Sequence, residues 1–333
     1  MSFFKTFRIF RKLFRISGLS KKKSGKKKTS ASGSNTPTLT TEAAANAGEQ
    51  VVAPAPYNPV TKIGNIGKYQ TPVNNYTFAA RNGKKLKVYY SVPVNVMPGA
   101  QVLFVMHGVN RDADKYAEYF RYLAETENII VITPEFAKNQ FSSAQYQRID
   151  IEDNIKKPEK WTTKIIDDIF MDFTGRFNFQ NDKYIMYGHS AGSQFTHRAL
   201  MFSESSYLDY GIAANAGTYT FPDEQVDYHF GIKNLFPIHR DLINRNFARR
   251  LYVLTGNRDN DPNADNLTRS AEADRQGIHR HERALRFYKA CKDYCTSNNI
   301  AFNWELIVMD GVAHKQVATR PYVIDIITGK YNK

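Results

Sequence analysis

The order of segments along the chain predicts an α/β domain, a mostly parallel sheet with helices on both faces and one irregular insertion. Three observations lead there. Short apolar runs of strand length alternate with segments of helical spacing over most of the chain. Several of those runs are apolar at consecutive positions, as strands covered on both faces are. Four of them end in loops that carry a polar or glycine-containing cluster, and in sheets of this kind ligands gather beyond the carboxyl ends of the strands.

Taken in order, Lys84 to Val94 reads as an early strand, β-branched and aromatic, closed by Pro93 and Pro98. Val102 to Met106 is a continuous apolar run that opens into His107-Gly108-Val109-Asn110. Ala113 to Thr126 spaces Tyr116, Phe120 and Leu123 as a helix does. Asn128 to Glu135 gives a second buried strand, and Trp161 to Phe173 a helix with Ile165, Ile169 and Phe173 on one side. Tyr184 to Tyr187 then runs directly into Gly188-His189-Ser190-Ala191-Gly192, followed by Phe195, Ala199 and Phe202 at helical spacing. Gly211 to Ala216 is a short strand. Thr218 to Ala248 has no clear period, and so long an irregular stretch in a compact domain reads as a lid-like insertion. Arg250 to Thr255 resumes the strand pattern and leads into Gly256-Asn257-Arg258-Asp259-Asn260-Asp261-Pro262. Glu282 to Asn298 is a helix, and Phe302, Trp304, Leu306 and Val308 alternate along a last strand. Asp310-Gly311-Val312-Ala313-His314 precedes a final helix.

The 333 residues, 42% hydrophobic and 13% aromatic, suffice for a substantial core. No apolar run reaches the ~18 residues of a membrane span. The net charge of +14 suggests a nucleic-acid partner until it is located. Residues 1–30 hold eleven Lys or Arg and no acid, which leaves +3 for the rest of the chain. A nucleic-acid-binding domain is basic over a folded face, so nucleic acid is not the expected partner. Phe3, Phe7, Phe10 and Phe14 recur at helical spacing, with Lys5, Arg8, Lys12 and Arg15 on roughly the opposite side and a Lys-rich segment after them. That is the pattern of a basic amphipathic helix suited to an anionic membrane surface, and an organelle presequence shares it. The expected location is therefore cytoplasmic, peripheral at a membrane, or in an organelle addressed by this tail. A secretory signal fits less well, because basic residues interrupt every apolar run. Residues 31–61 are rich in Ser, Thr, Ala, Asn and Pro and read as a disordered linker, with the folded domain over 62–333.

The strand, sharp turn and helix around Ser190 carry the chemistry. A chance G-x-S-x-G is expected about once in ten chains of this length, so the motif counts only with a strand before it and a helix after it, and both are present. A serine at such a corner sits on strained backbone that lifts its hydroxyl clear of the sheet, and only small residues fit at the two glycine positions. Ser190 is the candidate nucleophile. A serine hydroxyl needs a base, and an imidazole serves when a carboxylate on its other nitrogen fixes its tautomer. The chain order Ser, acid, His assigns His314 as base and Asp259 as its orienting acid, with Asp261, two residues on in the same loop, as the alternative. The oxyanion formed on attack needs preorganised donors worth roughly 3–4 kcal/mol each. One is expected from the backbone N–H of Ala191, the other from Val109 or Asn110. His189, His197, His279 and His281 form no set with metal-ligand spacing, Cys291 and Cys295 are too sparse for a zinc site or a disulfide framework, and neither a P-loop nor a dinucleotide fingerprint occurs. No metal and no nucleotide cofactor are implied.

At VLFVMHGVNRDADKY, GHSAGSQFTHR, ANAGTYTFPD, LTGNRDNDPN and GVAH the chain resembles the α/β-hydrolases, from about residue 84 to its C-terminus. Within them it is most similar to the esterase-like group related to polyhydroxybutyrate depolymerases and feruloyl esterases. The resemblance implies the α/β-hydrolase fold with an eight-stranded sheet, a Ser-Asp-His triad at Ser190, Asp259 and His314, no cofactor, and hydrolysis of ester bonds. Depolymerase-type members are often secreted, and the basic, non-signal N-terminus departs from that. The expected activity is thus a cofactor-independent serine hydrolase that cleaves a small or polymeric carboxylic ester through an acyl-enzyme. The alternatives are an amidase or peptidase with the same residues, or a non-catalytic module docked to an anionic surface by its tail. Such a module has no need of the full Ser, Asp and His set.

Overall fold

The structure is a computed structural model that describes residues 51–63 and 69–331. The tail over 1–30 and most of the expected linker lie outside the described residues. One sheet of eight strands organises the rest: β1 (Asn74–Ala79), β2 (Lys85–Ser91), β3 (Gln101–Met106), β4 (Ile129–Pro134), β5 (Tyr184–His189), β6 (Leu208–Ala214), β7 (Leu251–Gly256) and β8 (Trp304–Met309). Their spatial order is β1-β2-β4-β3-β5-β6-β7-β8. β2 pairs antiparallel with β1 and β4, and every pairing from β4 to β8 is parallel. The chain order reverses around β3, which puts the carboxyl ends of β3 and β5 side by side, with Met106 opposite Gly188.

Nine α-helices are found among the described residues: α1 (Ala113–Phe120), α2 (Tyr122–Thr126), α3 (Ser143–Tyr146), α4 (Thr163–Phe177), α5 (Ala191–Phe202), α6 (Phe236–Asn246), α7 (Ala271–Gln276), α8 (Arg280–Ser297) and α9 (Gln316–Ile327). Side chains alternate across a strand, so the unbroken apolar run of β3 feeds two cores. Val102, Phe104 and Met106 pack with Ile166 and Phe170 of α4, Phe195 of α5 and Phe287 of α8. Leu103 and Val105 pack on the other face with Phe120 of α1 and Tyr322 and Val323 of α9. Both faces are therefore covered, as consecutive apolar residues in a strand require.

Besides the short α3 and α7, which the sequence pattern does not signal, the elements depart from expectation in four places. β1 was not foreseen, because an edge strand with one buried side chain, Phe78, offers little apolar pattern. The helix expected over Ala113 to Thr126 is α1 followed by α2, with Arg121 between them in helical backbone. The stretch read as a lid-like insertion, Thr218 to Ala248, contains α6, whose helical period is interrupted at His239 (φ −120°, ψ 19°) and which has a proline in its first turn. Tyr219, Ile232 and Leu235 in that stretch are fully buried in the larger core. Finally, packing against the body begins upstream of Lys62. Tyr57 bridges to Met309 at the end of β8, its hydroxyl donates to buried Asp325 of α9 at 2.8 Å, and the Val60 and Thr61 N–H groups donate to the same carboxylate. Among the described residues no helix is long and apolar enough to cross a membrane.

Candidate active site

The corner at Ser190 is built by close approach. A Cβ on Gly188 would lie 2.1 Å from the Gly192 carbonyl oxygen, and a Cβ on Gly192 would lie 2.0 Å from the Met106 carbonyl oxygen. Both positions must therefore be glycine for α5 to start directly over the ends of β3 and β5. Between them Ser190 adopts φ 56°, ψ −112°, a region that costs an ordinary side chain on the order of 1–3 kcal/mol and persists only where neighbours impose it. The neighbours are visible. The Ser190 N–H donates to Ala214 O at the end of β6 (3.0 Å), and the Ser190 carbonyl accepts the first helical bond of α5 from Gln194 N (3.1 Å).

The two other loops are laced to each other before they reach the serine. Asn257 N donates to Met309 O (3.2 Å), Arg258 N to Val312 O (3.0 Å) and Gly311 N to the Asn257 side-chain oxygen (2.9 Å). This lacing brings Asp259 and His314 together. His314 Nδ1 is 2.7 Å from Asp259 Oδ2, and His314 Nε2 is 3.1 Å from Ser190 Oγ. Asp259 is 4% exposed, while the imidazole of His314 is 27% exposed and so reachable from solvent. Asp261 is exposed, and its carboxylate accepts from Asn263 N within its own loop at 2.8 Å. Of the two acids weighed from sequence, it is Asp259 that meets the histidine.

A third loop frames the same spot. Gly108 to Arg111 is a turn closed by Arg111 N to Gly108 O (3.2 Å), and it carries half-buried Val109 and exposed Asn110. Buried His107 anchors it. The Phe136 N–H donates to His107 Nε2 (3.0 Å), so the ring proton sits on Nδ1 and donates to Gly108 O (3.0 Å). Burial draws this imidazole down to about 3, which keeps it neutral in that role. Ala191 is the first residue of α5, where helix N–H groups lack an intrahelical acceptor.

No protein-family model matches the chain, and no curated protein sequence does. Solved structures do. Poly(aspartic acid) hydrolase-1 from Sphingomonas sp. KT-1 is 30% identical with a TM-score of 0.72, and the match covers 78% of this chain and 100% of that one. The chain is an esterase-like α/β-hydrolase. The fold recurs in LpqC, poly(3-hydroxybutyrate) depolymerase from Bordetella parapertussis (22% identical, TM-score 0.73, 79% of this chain and 92% of that one). It recurs more distantly in an S-formylglutathione hydrolase from Agrobacterium tumefaciens (12% identical, TM-score 0.52, 82% and 99%).

Within this α/β-hydrolase the structure adds residues that sequence reasoning passed over. Asn215, buried with φ 51° just past β6, accepts from Gly256 N at 2.9 Å through its side-chain oxygen, and its amide nitrogen is 3.5 Å from Ala313 O. One side chain thus ties the strand end beside Ser190 to the acid loop and the histidine loop. His189, next to Ser190, is buried with its ring centre 4.8 Å from that of His314, and burial pushes its basicity well down. Among the described residues no group of three or more His, Cys, Asp or Glu side chains is arranged to hold a metal.

Proposed function

We propose that this hydrolase cleaves a carboxylic ester through an acyl-enzyme, with Ser190 as nucleophile, His314 as general base and then acid, and Asp259 as the orienting carboxylate. The observation that carries the reading is the pair of hydrogen bonds linking Ser190 Oγ, His314 and Asp259 at the carboxyl rim of the sheet. In the reading, Oγ attacks the ester carbonyl carbon while Nε2 takes its proton, and Asp259 stabilises the imidazolium. Collapse of the tetrahedral intermediate expels the alcohol, which receives that proton. Water, deprotonated by the same nitrogen, then attacks the acyl-serine, and collapse of that second intermediate releases the acid as the proton passes from Nε2 to Ser190 Oγ. The oxyanion at each stage is met by the Ala191 N–H and by that of Val109 or Asn110. Every group needed is supplied by the chain, so the reading calls for no cofactor.

A second reading keeps these residues and changes the bond to an amide. It is favoured by the 30% identity to a poly(aspartic acid) hydrolase over that protein's whole length, since poly(aspartic acid) is a polyamide. Both readings meet in one experiment, turnover of a short-chain p-nitrophenyl ester and of poly(aspartic acid) by the parent and by Ser190→Ala. The expectation is ester cleavage by the parent and a loss of at least about a thousandfold in the variant. Cleavage of poly(aspartic acid) with no ester turnover selects the amide reading, and equal rates for parent and variant overturn both.

A further inference from the structure

α8 begins against the candidate acid. His281 N donates to the Asp259 carbonyl at 3.0 Å, so the amino end of an 18-residue helix abuts the acid loop. Arg280, the first residue of that helix, is 2% exposed and places Nη1 3.6 Å from Asp259 Oδ1, the oxygen turned away from His314. Its Nη2 donates to Asp265 O at 3.2 Å, and its Nε is buried without a hydrogen-bond partner. An arginine in the interior that leaves one of its own donors unsatisfied is an expensive way to hold a loop, and 3.6 Å is an ion-pair distance rather than a hydrogen-bond one.

The other groups around this carboxylate and its histidine are His189 from β5, Tyr219 from the segment after β6, His279 just before α8 and His281 in α8; further along α8, buried Arg283 pairs with Asp274 at 3.3 Å. Burial lowers the basicity of all three histidines and raises the Tyr219 hydroxyl, so each is held toward its neutral form. Arg258, Asp261 and Lys315, close by in sequence, are exposed to solvent and screened by it. The Arg280 guanidinium is therefore the buried cation at ion-pair distance from Asp259, while that of Arg283 is paired to Asp274.

We propose that Arg280 is a positioning residue of this hydrolase, pairing one oxygen of Asp259 so that the other faces His314 and setting how far into acid the catalytic pair keeps working. The proposal rests on the Ser190, His314 and Asp259 reading. Its sign follows from charge. A buried cation next to the carboxylate favours the ionised carboxylate and opposes a proton on the nearby imidazole. Both effects carry activity to lower pH, and both are lost with the cation.

The test compares the parent, Arg280→Gln and Arg280→Lys. Glutamine keeps a donor for the Asp265 carbonyl and removes the charge, while lysine keeps the charge. The acid limb of the kcat/KM profile on the p-nitrophenyl ester is expected to move up by about one pH unit in Arg280→Gln, roughly tenfold in activity below the limb, and to stay near the parent's in Arg280→Lys. Labelling of Ser190 by a fluorophosphonate counts competent sites, so a variant that folds poorly loses amplitude without moving its limb. The same comparison is made without catalysis in Ser190→Ala, by following the His314 ring protons through an NMR pH titration. There the midpoint with Arg280→Gln added is expected about one unit above that of Ser190→Ala alone. A hydrolase reading that fails shows as an inactive, unlabelled parent, while the titration still decides the role of Arg280. Coincident limbs or midpoints with and without the charge would overturn the proposal.

Discussion

Adding one methyl group at Gly192 tests whether the corner at Ser190 depends on the contact between α5 and β3. A Cβ built there lies 2.0 Å from Met106 O, 2.6 Å from Met106 C and 2.8 Å from His107 O, all backbone atoms that no rotamer change can move aside. A carbon approaches a carbonyl oxygen to about 3.3 Å, so the start of α5 and the end of β3 must part by roughly 1.3 Å. Overpacking on that scale costs about 1–3 kcal/mol and lowers Tm by several degrees. Ser190 rides on the first turn of the displaced helix while His314 stays on its own loop, and a misplacement near 1 Å costs about a hundredfold in rate. Gly192→Ala is therefore expected to lower kcat/KM on the p-nitrophenyl ester about a hundredfold, with a clear loss in a thermal melt. The internal comparison is Gly175 on α4, where an added Cβ meets nothing within 4 Å. Alanine there leaves activity alone and stabilises by up to ~1 kcal/mol through helix propensity. A Gly192 variant that melts and turns over like the Gly175 variant would show that this contact does not set the corner.

Two further outcomes follow from the same geometry. Asp259→Asn keeps the shape of the site but allows His314 the wrong tautomer, and kcat is expected to fall about ten-thousandfold; Asp261→Asn, exposed and turned into its own loop, should stay within a few-fold of the parent, and equal losses in steady-state assays would reject the assignment of the acid. Asn215→Ala strands the Gly256 N–H in the interior, so a loss of about 1–3 kcal/mol in a denaturant melt and at least tenfold in kcat/KM is expected; a parent-like melt would show that this side chain does not tie the loops.

The parts of this site readable from sequence are those whose signal is local. The turn at Ser190 announces itself because two glycines, a strand and a helix fall within twenty residues, and the glycines answer to contacts of 2.0 and 2.1 Å that no other residue satisfies. His314 and Asp259 are legible more weakly, by lying just past apolar runs that had to be strands. The choice between Asp259 and Asp261 turned on which carboxylate points inward. That depends on a lacing of two loops some 50 residues apart, and no spacing rule encodes it. The irregular stretch after β6 shows the opposite failure. Its kink at His239 broke the period that would have revealed α6, although the buried Ile232 and Leu235 fold the stretch into the core.

Arg280 and Asn215 had no local signature at all. An arginine at the start of a helix reads as a solvated charge, and even a poor one, because the amino end of a helix favours anions over cations. That misfit has a structural cause. A cation placed against the helix dipole, buried and short of one hydrogen bond, is tolerated where a compensating anion sits beside it, and the anion here is the Asp259 carboxylate, whose other oxygen is 2.7 Å from His314 Nδ1. Asn215 follows the same logic in the backbone. Its left-handed conformation is strained for most side chains, and asparagine both tolerates it and supplies the oxygen that Gly256 N needs. Residues that break a local rule inside a folded core are where long-range demands of the site outweigh local preference, which is why sequence pattern alone passes them over.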